Sequence, residues 1–472
     1  MTPDRSYQNE GVAFLRARQK AILADDAGLG KSRQVIVAAN DEGLDRILVV
    51  CPAIGRVSWR TELLKWDDTQ RAIAVYKSRA KIPPGRIALI VTYDTFSRKN
   101  TLQKFLEALR WAVAFGGDFD LAVLDEAQAL KTAGSNRTKA LYGRRMDLKG
   151  SPLDQIKRVW LASATLTPND ASELFPHIKA ILPDVMAELL AGRPQTLTNF
   201  VAAFCRVTRT PFGNRIVGNN SKTIPRLRKV LAPHILSRRK ADVAKDLQPI
   251  TCLDLPLEVK WTDREQRLAV ETFLTGALPE EAQDGDDEDQ LLLLGQCLAD
   301  PAFSGQRRAL GLLKTPPAID WVAAFLEANP TKKIVVFAHH RDVLDALAEG
   351  LRPYGPVVVM GGVSAQKSAE NVYAFQNDIA CRVFLGQTNA CGTSITLTAA
   401  HYVLVLEPEG SPVYNYQAIS RTHRIGQAES VFAYFASAHG TLDVRMTQLL
   451  RQRAQDHMEL HGFAPAGYLP PN

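Results

Sequence analysis

The sequence has 472 residues and a mass of 52.0 kDa, which is too long for one small module and predicts two or three domains. Its 46% hydrophobic and 23% charged residues are typical of a globular protein and exclude collagen-like, disordered and coiled-coil classes. The formal net charge of +7 favours an acidic partner such as nucleic acid without requiring one. No apolar run approaches the roughly 18 residues of a membrane span, so we expect no membrane partner.

A glycine-containing turn follows the first apolar run of the chain. Residues 22–32 read ILADDAGLGKS and are followed by a helical pattern. Such a strand-turn-helix leaves backbone N–H groups free to hold phosphates at a helix N-terminus, where Lys31 would reach the terminal phosphates and Ser32 would coordinate magnesium. Asp25 stands where the strict P-loop pattern has its first glycine, so a simple glycine-bearing turn is the alternative interpretation.

Apolar runs rich in Val, Ile and Leu recur between helical patterns in two series. The first series comprises residues 46–51, 86–91, 119–124 and 159–163, and the second comprises residues 333–337, 357–360, 382–386 and 402–406. Continuous apolar runs predict strands that are buried on both faces, and therefore parallel sheets covered by helices. The predicted fold class is α/β with two such lobes.

An acidic pair ends the third predicted strand. Residues 119–128 read FDLAVLDEAQ, in which Asp125 could hold the magnesium shell through water and Glu126 could orient and activate the attacking water. Acidic residues also cap strands at ordinary surfaces, but the pair follows a Gly-Lys-Ser turn by about 95 residues, and this combination favours a nucleotide site over a surface cap. In the next strand-turn, LASATLTPN, Ser163 and Thr165 could sense the γ-phosphate, although alone the segment would be only a turn.

Two charged segments lie between the series of strands. Residues 279–290 (PEEAQDGDDEDQ) are acidic, lack large apolar side chains and predict a flexible surface insertion. The upstream stretch is basic and predicts either a solvated helix face or an edge that contacts phosphates. Its members are Arg226, Arg228, Lys229, Arg238, Arg239 and Lys240.

Two arginines near the end of the chain, Arg421 and Arg424, lie in QAISRTHRIGQ and would share one face of a helix. Such a pair can neutralise charge on a transferred phosphoryl group, and the alternative is a solvated basic helix.

Two further pairs of residues are interpreted as structural. The adjacent His339 and His340 should point to opposite faces of a strand end, which argues against metal binding. Trp59 and Trp66, seven residues apart, should pack on a core face and not on nucleic-acid bases.

In this order the motifs resemble those of the Swi/Snf-type ATPases of the superfamily-two helicases. The P-loop of that family also carries Asp in place of the first glycine, and residues 334–347 (IVVFAHHRDVLDAL) are similar to its annealing-helicase branch. Residues 7–15 (YQNEGVAFL) resemble its adenine-recognising motif. The resemblance implies nucleotide binding at Gln8, Asp26, Ala27, Gly28, Leu29, Gly30, Lys31 and Ser32, and nucleic-acid contacts at Pro52, Arg56, Thr92, Tyr93, Thr388 and Thr393.

The resemblance also implies an architecture of two tandem RecA-like lobes with a nucleotide cleft between them. The expected divisions are a first lobe at 1–234 with a helical insertion after about 180, an inter-lobe connection with a helical and acidic insertion at 235–320, a second lobe at 321–455 and a tail at 456–472.

The implied activity is an ATP-dependent translocase on double-stranded DNA that uses ATP and Mg²⁺. A monomer suffices for the chemistry, and a protein partner would supply specificity. The location would be cytoplasmic and nucleoid-associated in a prokaryote or virus, and nuclear in a eukaryote. Two alternatives stay open, a strand-separating DNA or RNA helicase and a nucleotide-gated DNA clamp with little turnover.

Overall fold

The computed structural model describes residues 6–77, 82–164, 166–210, 213–244, 247–260, 301–391, 395–424, 426–439 and 441–461. Thr165, Thr393 and the acidic segment 279–290 lie outside these residues, and the predictions made for them stay predictions. The chain forms two compact units, Met1–Lys245 with Glu459–Gly462 (unit 1) and Asp246–Met458 with Phe463–Asn472 (unit 2). The finer domain boundaries predicted from the sequence stay predictions.

Unit 1 contains a seven-stranded parallel sheet and a separate antiparallel hairpin. Its strands are β1 (Lys20–Leu23), β2 (Arg46–Cys51), β3 (Ala72–Val75), β4 (Ile87–Thr92), β5 (Leu121–Asp125), β6 (Arg158–Ala162), β7 (Cys205–Thr210), β8 (Gly213–Asn219) and β9 (Ile235–Leu236). The sheet has the order β3-β4-β2-β5-β6-β1-β9, and β7 pairs with β8 in the hairpin. All four predicted strands of the first series are present.

Helices cover both faces of this sheet. They are α1 (Ser6–Arg16), α2 (Lys31–Asp41), α3 (Gly55–Trp66), α4 (Asp94–Ser97), α5 (Lys99–Gly116), α6 (Asn136–Tyr142), α7 (Phe175–Ile181), α8 (Pro183–Leu190), α9 (Leu197–Phe204), α10 (Ile224–Leu231) and α11 (Lys240–Val243), with 3₁₀ turns at Ala127–Leu130 and Ala171–Leu174. Successive β2 residues enter different cores, because Leu48 and Val50 pack on one face while Ile47 and Val49 pack on the other. This burial explains why the run is continuously apolar.

Unit 2 contains a six-stranded parallel sheet. Its strands are β10 (Ile250–Leu257), β11 (Ile334–Ala338), β12 (Val357–Val359), β13 (Val383–Gln387), β14 (Tyr402–Val405) and β15 (Val431–Ala438), in the order β10-β15-β14-β11-β13-β12. The second predicted series supplies β11, β12, β13 and β14. Neither β15 nor β10 was predicted, and in β10 Asp254 and Pro256 obscure the apolar pattern. Proline is tolerated there because β10 is an edge strand.

The helices of unit 2 are α12 (Pro301–Ala328), α13 (Arg341–Gly350), α14 (Ala365–Asn377), α15 (Thr388–Cys391), α16 (Pro412–Ile419) and α17 (Leu442–His461), with a 3₁₀ turn at Arg352–Tyr354. Two parallel sheets flanked by helices confirm the predicted α/β class with RecA-like lobes. Within the described part of the chain, no helix combines the length and apolarity needed to cross a membrane.

Candidate functional site

The carboxyl ends of three neighbouring strands bring the predicted nucleotide motifs of unit 1 to one edge of the sheet. Leu23 at the end of β1 is in register with Ala162 at the end of β6, and Ala162 is in register with Asp125 at the end of β5. The glycine turn after β1 and the acidic pair after β5 therefore leave the sheet at the same level. Ligands of parallel α/β sheets bind at this edge.

The glycine turn has the backbone geometry of an anion site. Gly28 and Gly30 have φ angles of 87° and 77°, which favour glycine. Gly30 is the N-cap of α2, and no side chain caps this helix start. The first N–H groups of α2, which begin at Lys31 and continue at Ser32, are thus available to phosphate oxygens at the positive end of the helix dipole.

Gln8 packs directly against this turn. Its Nε2 donates to the carbonyl of Leu29 at 3.1 Å, and its Oε1 accepts from Arg33 Nη1 at 2.9 Å. A Cβ added to Gly30 would lie 2.4 Å from Gln8 Nε2, so a larger residue would displace the Gln8 amide in addition to straining the φ angle. The structure thus places Gln8 beside the predicted phosphate-binding turn.

Lys31 lies among carboxylates at this edge. Its Nζ donates to the carbonyls of Asp25 and Asp26 at 2.7 and 3.1 Å. Burial lowers the pKa of Lys31, and the charges of Glu126 and Asp25 oppose this effect. Asp26 itself accepts from the N–H of Ala27 at 2.9 Å, which closes the start of the turn.

Asp25, which stands where the strict P-loop pattern has its first glycine, anchors the glycine turn through its side chain. It is fully buried and accepts two hydrogen bonds from Arg238, at 2.9 Å from Nε and 2.6 Å from Nη2, and a third from Gln34 Nε2 at 3.1 Å. A bidentate guanidinium pair of this kind fixes orientation as well as charge. Arg238 was not predicted as part of the site, and its position in the basic stretch after β9 is the one sequence signal that could have indicated it.

Two aromatic side chains hold Asp125. Trp59 Nε1 donates to Asp125 Oδ2 at 2.8 Å, and the hydroxyl of Tyr93 donates to the Asp125 carbonyl at 2.9 Å. Burial and then the charge of Glu126 raise the pKa of Asp125, while the bond from Trp59 lowers it. Trp59 packs in the core as predicted, but its contact with Asp125 was missed because the two residues are 66 positions apart.

Glu126 is positioned by a short hydrogen-bonded chain. Gln128 Nε2 donates to Glu126 Oε2 at 2.9 Å, and Ser163 Oγ donates to Gln128 Oε1 at 2.6 Å. Glu126 has a φ angle of 50°, a left-handed conformation that is uncommon for a residue with a side chain and is found at functional sites. The chain links the ends of β5 and β6 and fixes the Glu126 carboxylate.

The residues at this edge fit Mg²⁺ bound together with a nucleotide. Ser32 and Asp125 supply hydroxyl and carboxylate oxygens, which are the ligand types Mg²⁺ prefers. Among the residues described, no group of three or more His, Cys, Asp or Glu could hold a metal. Mg²⁺ matches this sparse donor set, because it is commonly held by one or two carboxylates and substrate phosphates.

The two arginines of unit 2 lie in the turn that follows α16, where Arg421 is buried and Arg424 is partly buried. Arg421 is 2% exposed, with Nε donating to the carbonyl of Gln417 at 3.0 Å, and Arg424 Nη1 donates to the carbonyl of Ile395 at 3.0 Å and to Thr396 Oγ1 at 2.8 Å. The prediction that they share one helical face is wrong, because α16 ends at Ile419. The hydroxyl of Thr422 donates to the carbonyl of Ile419 at 2.7 Å. This bond competes with the backbone hydrogen bonds of a continued helix and favours the turn.

The predicted nucleic-acid contacts fall into two groups. Pro52 and Arg56 precede and begin α3 and are partly exposed, as is Thr92 at the end of β4. Tyr93 and Thr388 are 3% and 1% exposed, so almost none of either residue is accessible to a nucleic acid in this structure.

The prediction that His339 and His340 point apart is wrong, because β11 ends at Ala338 and the two rings lie 4.7 Å from each other. The Nδ1 atoms of His339 and His340 each lie 2.7 Å from a carboxylate oxygen, of Glu409 and Glu407 respectively.

Comparison with known families gives two matches that together span most of the chain. The SNF2-related domain matches residues 7–273, and the helicase conserved C-terminal domain matches residues 317–426.

Several curated proteins resemble the chain over nearly its whole length. "DNA annealing helicase and endonuclease ZRANB3" of Bos taurus is 26% identical over 95% of this chain and 40% of its own length. "SWI/SNF-related matrix-associated actin-dependent regulator of chromatin subfamily A-like protein 1" of Drosophila melanogaster is 25% identical over 95% of this chain and 55% of its own. "Uncharacterized ATP-dependent helicase MG018" of Mycoplasma genitalium is 25% identical over 96% and 41%. The chain thus spans about half of these relatives or less.

Among solved structures, the "Sulfolobus solfataricus SWI2/SNF2 ATPase core in complex with dsDNA" covers 98% of this chain and 94% of its own, with 21% identity and a TM-score of 0.42.

Proposed function

The chain belongs to the SNF2-related family and is an ATP-hydrolysing, helicase-like enzyme, and on this premise we propose that it is a translocase on double-stranded DNA. The observation that carries the proposal is the contact of Trp59 and Tyr93 with Asp125. Both aromatic residues belong to segments proposed to follow DNA, and both hold one residue of the nucleotide site. A shift of α3 or of the end of β4 on DNA binding would therefore reach Asp125 through Trp59 or Tyr93.

In the proposed mechanism, ATP binds with its phosphates on the N–H groups at the start of α2. Lys31 binds the terminal phosphates and Gln8 contacts the base. Mg²⁺, when bound through Ser32 and Asp125, would neutralise charge on the phosphates. Glu126, held by Gln128, orients the attacking water and accepts its proton.

Arg421 and Arg424 are proposed to neutralise the charge of the transferred phosphoryl group. The hydrogen bonds that Arg421 and Arg424 make within unit 2 keep both guanidinium groups in defined positions, which limits the entropy lost when they bind an anion.

The names of relatives such as the DNA annealing helicase support DNA as the partner, and contacts to its phosphates would make binding largely independent of sequence. We further propose that the chain acts as a monomer, with specificity supplied by a protein partner, and that it is located in the nucleus or with the nucleoid. The proposed division into lobes at 1–234 and 321–455 joined by 235–320 follows from the same family.

Displacement of a third strand from a triplex tests translocation. The substrate is a duplex that carries a labelled triplex-forming strand, and its release is followed with and without ATP. A translocase releases the third strand in the presence of ATP and leaves the duplex intact. Release of single strands from the duplex would instead identify a strand-separating helicase, and no release despite tight DNA binding would identify a clamp.

A further inference from the structure

The segment between α8 and α11 has a charge composition unlike the rest of the chain. Residues 189–241 contain 11 Lys and Arg and no Asp or Glu. This excess is larger than the formal net charge of +7 of the whole protein, so the remainder of the chain is net acidic. A run of 53 residues without one carboxylate is a strong local asymmetry of charge.

Three of these basic residues have structural partners in unit 1. Arg238 pairs with Asp25, and Arg239 pairs with Asp242 at 2.6 Å. Lys240 is buried, and its backbone N–H donates to Asp26 Oδ2 at 3.3 Å. They account for the end of the basic segment but not for its exposed centre.

The exposed centre forms what we name the basic surface. Its side chains lie on β7, on the turn after β8 and on α10, and they are Arg206, Lys222, Arg226, Arg228 and Lys229. Lys222, Arg228 and Lys229 have no acidic partner in the described part of the chain, and Arg226 donates to the carbonyl of Glu188 at 2.9 Å.

Three exposed basic residues elsewhere in the protein have acidic neighbours. Arg86 lies 2.6 Å from Asp45, and Arg352 and Lys367 each lie 3.8 Å from a glutamate one helical turn away. Lys222, Arg228 and Lys229 differ from these three residues in that no carboxylate of the described residues offsets their charge.

The elements that carry the basic surface are fixed to one another. Asn219 at the end of β8 accepts from the N–H of Ala171 at 2.8 Å, and the hydroxyl of Thr223 donates to the carbonyl of Ala203 at the end of α9 at 2.8 Å. The apolar residues of α10, Ile224, Leu227 and Leu231, are buried, which turns Arg226 and Lys229 to the opposite side of the helix. The positive side chains are thus presented from a packed scaffold.

We propose that the basic surface is a second DNA-binding site, which holds the phosphate backbone of duplex DNA in addition to the contacts proposed at the motif residues. This inference rests on the proposed function, since it assigns a further contact for the same partner. Exposed hydroxyls at Thr208 and Ser221 lie in the same segment, and phosphate contacts use such neutral donors together with Arg and Lys.

The same observations argue against a membrane as the partner. A helix that binds a membrane surface inserts its apolar face, but the apolar face of α10 is buried in unit 1.

The test is the salt dependence of binding to a short labelled duplex of mixed sequence, measured without nucleotide between about 50 and 200 mM salt. The test variant is Lys222→Gln/Arg228→Gln/Lys229→Gln, which leaves Arg226 and its contact with Glu188 in place. The control is Arg86→Gln/Arg352→Gln/Lys367→Gln, which removes the same charge from exposed sites elsewhere. Circular dichroism and the unfolding temperature establish that both variants are folded.

We expect the slope of log K against log salt to become shallower by at least about 0.9 in the test variant, since each lost phosphate contact removes about this much. Affinity at about 100 mM salt should fall at least roughly tenfold by the same relation. The control should keep the wild-type slope.

Equal effects in the two variants would mean that only total charge matters and would overturn the proposal. So would unchanged DNA binding with a loss of binding to vesicles of phosphatidylserine and phosphatidylcholine, which would assign the surface to a membrane. ATP hydrolysis by the wild type, with and without duplex, separates the two failures. If DNA stimulates the wild type while the test variant binds DNA normally, the proposed function stands and only the basic surface is wrong.

Discussion

The carboxyl ends of the two parallel sheets carry charged side chains in contrasting states. In unit 2, the residues after β11 and β14 are hydrogen-bonded to one another, as His339 with Glu409 and His340 with Glu407. In unit 1, Lys31, Asp125 and Glu126 lie at the equivalent edge, and none of them has an ion-pair partner within 4 Å among the described residues. The edge of unit 1 is therefore poised for a charged ligand, while that of unit 2 is complete without one.

Two charged groups of unit 1, Lys31 and Asp125, have perturbed pKa values because they are desolvated without ion-pair partners among the described residues. Burial lowers the pKa of Lys31 and raises that of Asp125, so each group is less stable in its charged form than it would be in water. A nucleotide with Mg²⁺ would supply negative charge to Lys31 and positive charge to Asp125. Such perturbed groups are typical of functional sites, whereas matched pairs more often serve the fold.

The largest expected effect comes from removing the charged side chain of Lys31 in unit 1. Lys31→Ala should lower DNA-stimulated ATP hydrolysis by at least about 10³-fold, because the terminal phosphates lose their charged donor. The matched control is Lys20→Ala at the opposite end of β1, where Nζ donates to the carbonyl of Ile156 at 3.2 Å. The control should stay within about twofold of the wild type, and equal losses in both variants would remove the distinction between the two ends of the strand.

Removing a buried lysine of unit 2 should lower the stability of the fold and leave the rate of ATP hydrolysis unchanged. Lys314 is 1% exposed and its Nζ lies 2.9 Å from Asp443 Oδ2. Lys314→Met leaves that carboxylate unpaired and should lower the free energy of unfolding by about 3 kcal/mol, measured by denaturant titration. Lys332→Met, at an exposed pair with Glu429, should cost less than about 1 kcal/mol. Similar losses of unfolding free energy in Lys314→Met and Lys332→Met would contradict the assignment of the buried pair as the more important ion pair for the stability of unit 2.

The link between the proposed DNA-contacting helix and the nucleotide site predicts a smaller effect. Trp59→Phe keeps an aromatic ring but removes the donor to Asp125, so the Mg²⁺ concentration for half-maximal ATP hydrolysis should rise about 10- to 100-fold. Trp66→Phe is the control, because Trp66 Nε1 donates instead to Glu62 at 3.0 Å. DNA stimulation should weaken in Trp59→Phe alone, and a normal response to both DNA and Mg²⁺ would show that the indole has only a packing role.

The smallest predicted effect concerns acid stability. His177 in unit 1 is buried with Tyr142 as its partner, and burial lowers its pKa to about 3. Because the unfolded chain binds a proton near pH 6.5 and the folded unit does not, stability falls as the pH decreases from 6.5, by about 2 kcal/mol at pH 5. His177→Gln should flatten this dependence in urea titrations at pH 7.5 and 5. An unchanged difference between the two pH values would assign the acid sensitivity to other groups.

The sequence predicted most of the two sheets because their strands are continuously apolar. β2 and β14 are buried on both faces, and the local pattern suffices to recognise them. Two strands of unit 2 were not predicted. In β10 the edge position allows polar residues and proline, and in β15 Ala and Ser weaken the apolar signal.

Within the candidate site, local motifs could be predicted and distant partners could not. Gly28, Gly30 and Lys31 form a turn and a helix start from adjacent residues, so their arrangement follows from the sequence. The contact of Arg238 with Asp25 spans 213 positions, and that of Trp59 with Asp125 spans 66. Such partners depend on the order of strands in the sheet, which the sequence pattern of each strand does not contain.

The end of α16 is a local feature that was still predicted wrongly. Arg421 and Arg424 have helical spacing, but the hydroxyls of Ser420 and Thr422 donate to carbonyls three residues earlier at 2.8 and 2.7 Å. Side chains that bond to nearby carbonyls compete with the helix, and here they end it.

The most direct test of the contrast between the units is phosphate release under single-turnover conditions, with and without duplex DNA, by the wild type and Glu126→Gln. We predict that duplex DNA accelerates release by the wild type, and that Glu126→Gln binds ATP but releases phosphate at least about 100-fold more slowly. A wild-type rate that does not respond to DNA, or that equals the rate of Glu126→Gln, would contradict the assignment of the unit 1 edge as a DNA-coupled hydrolytic site.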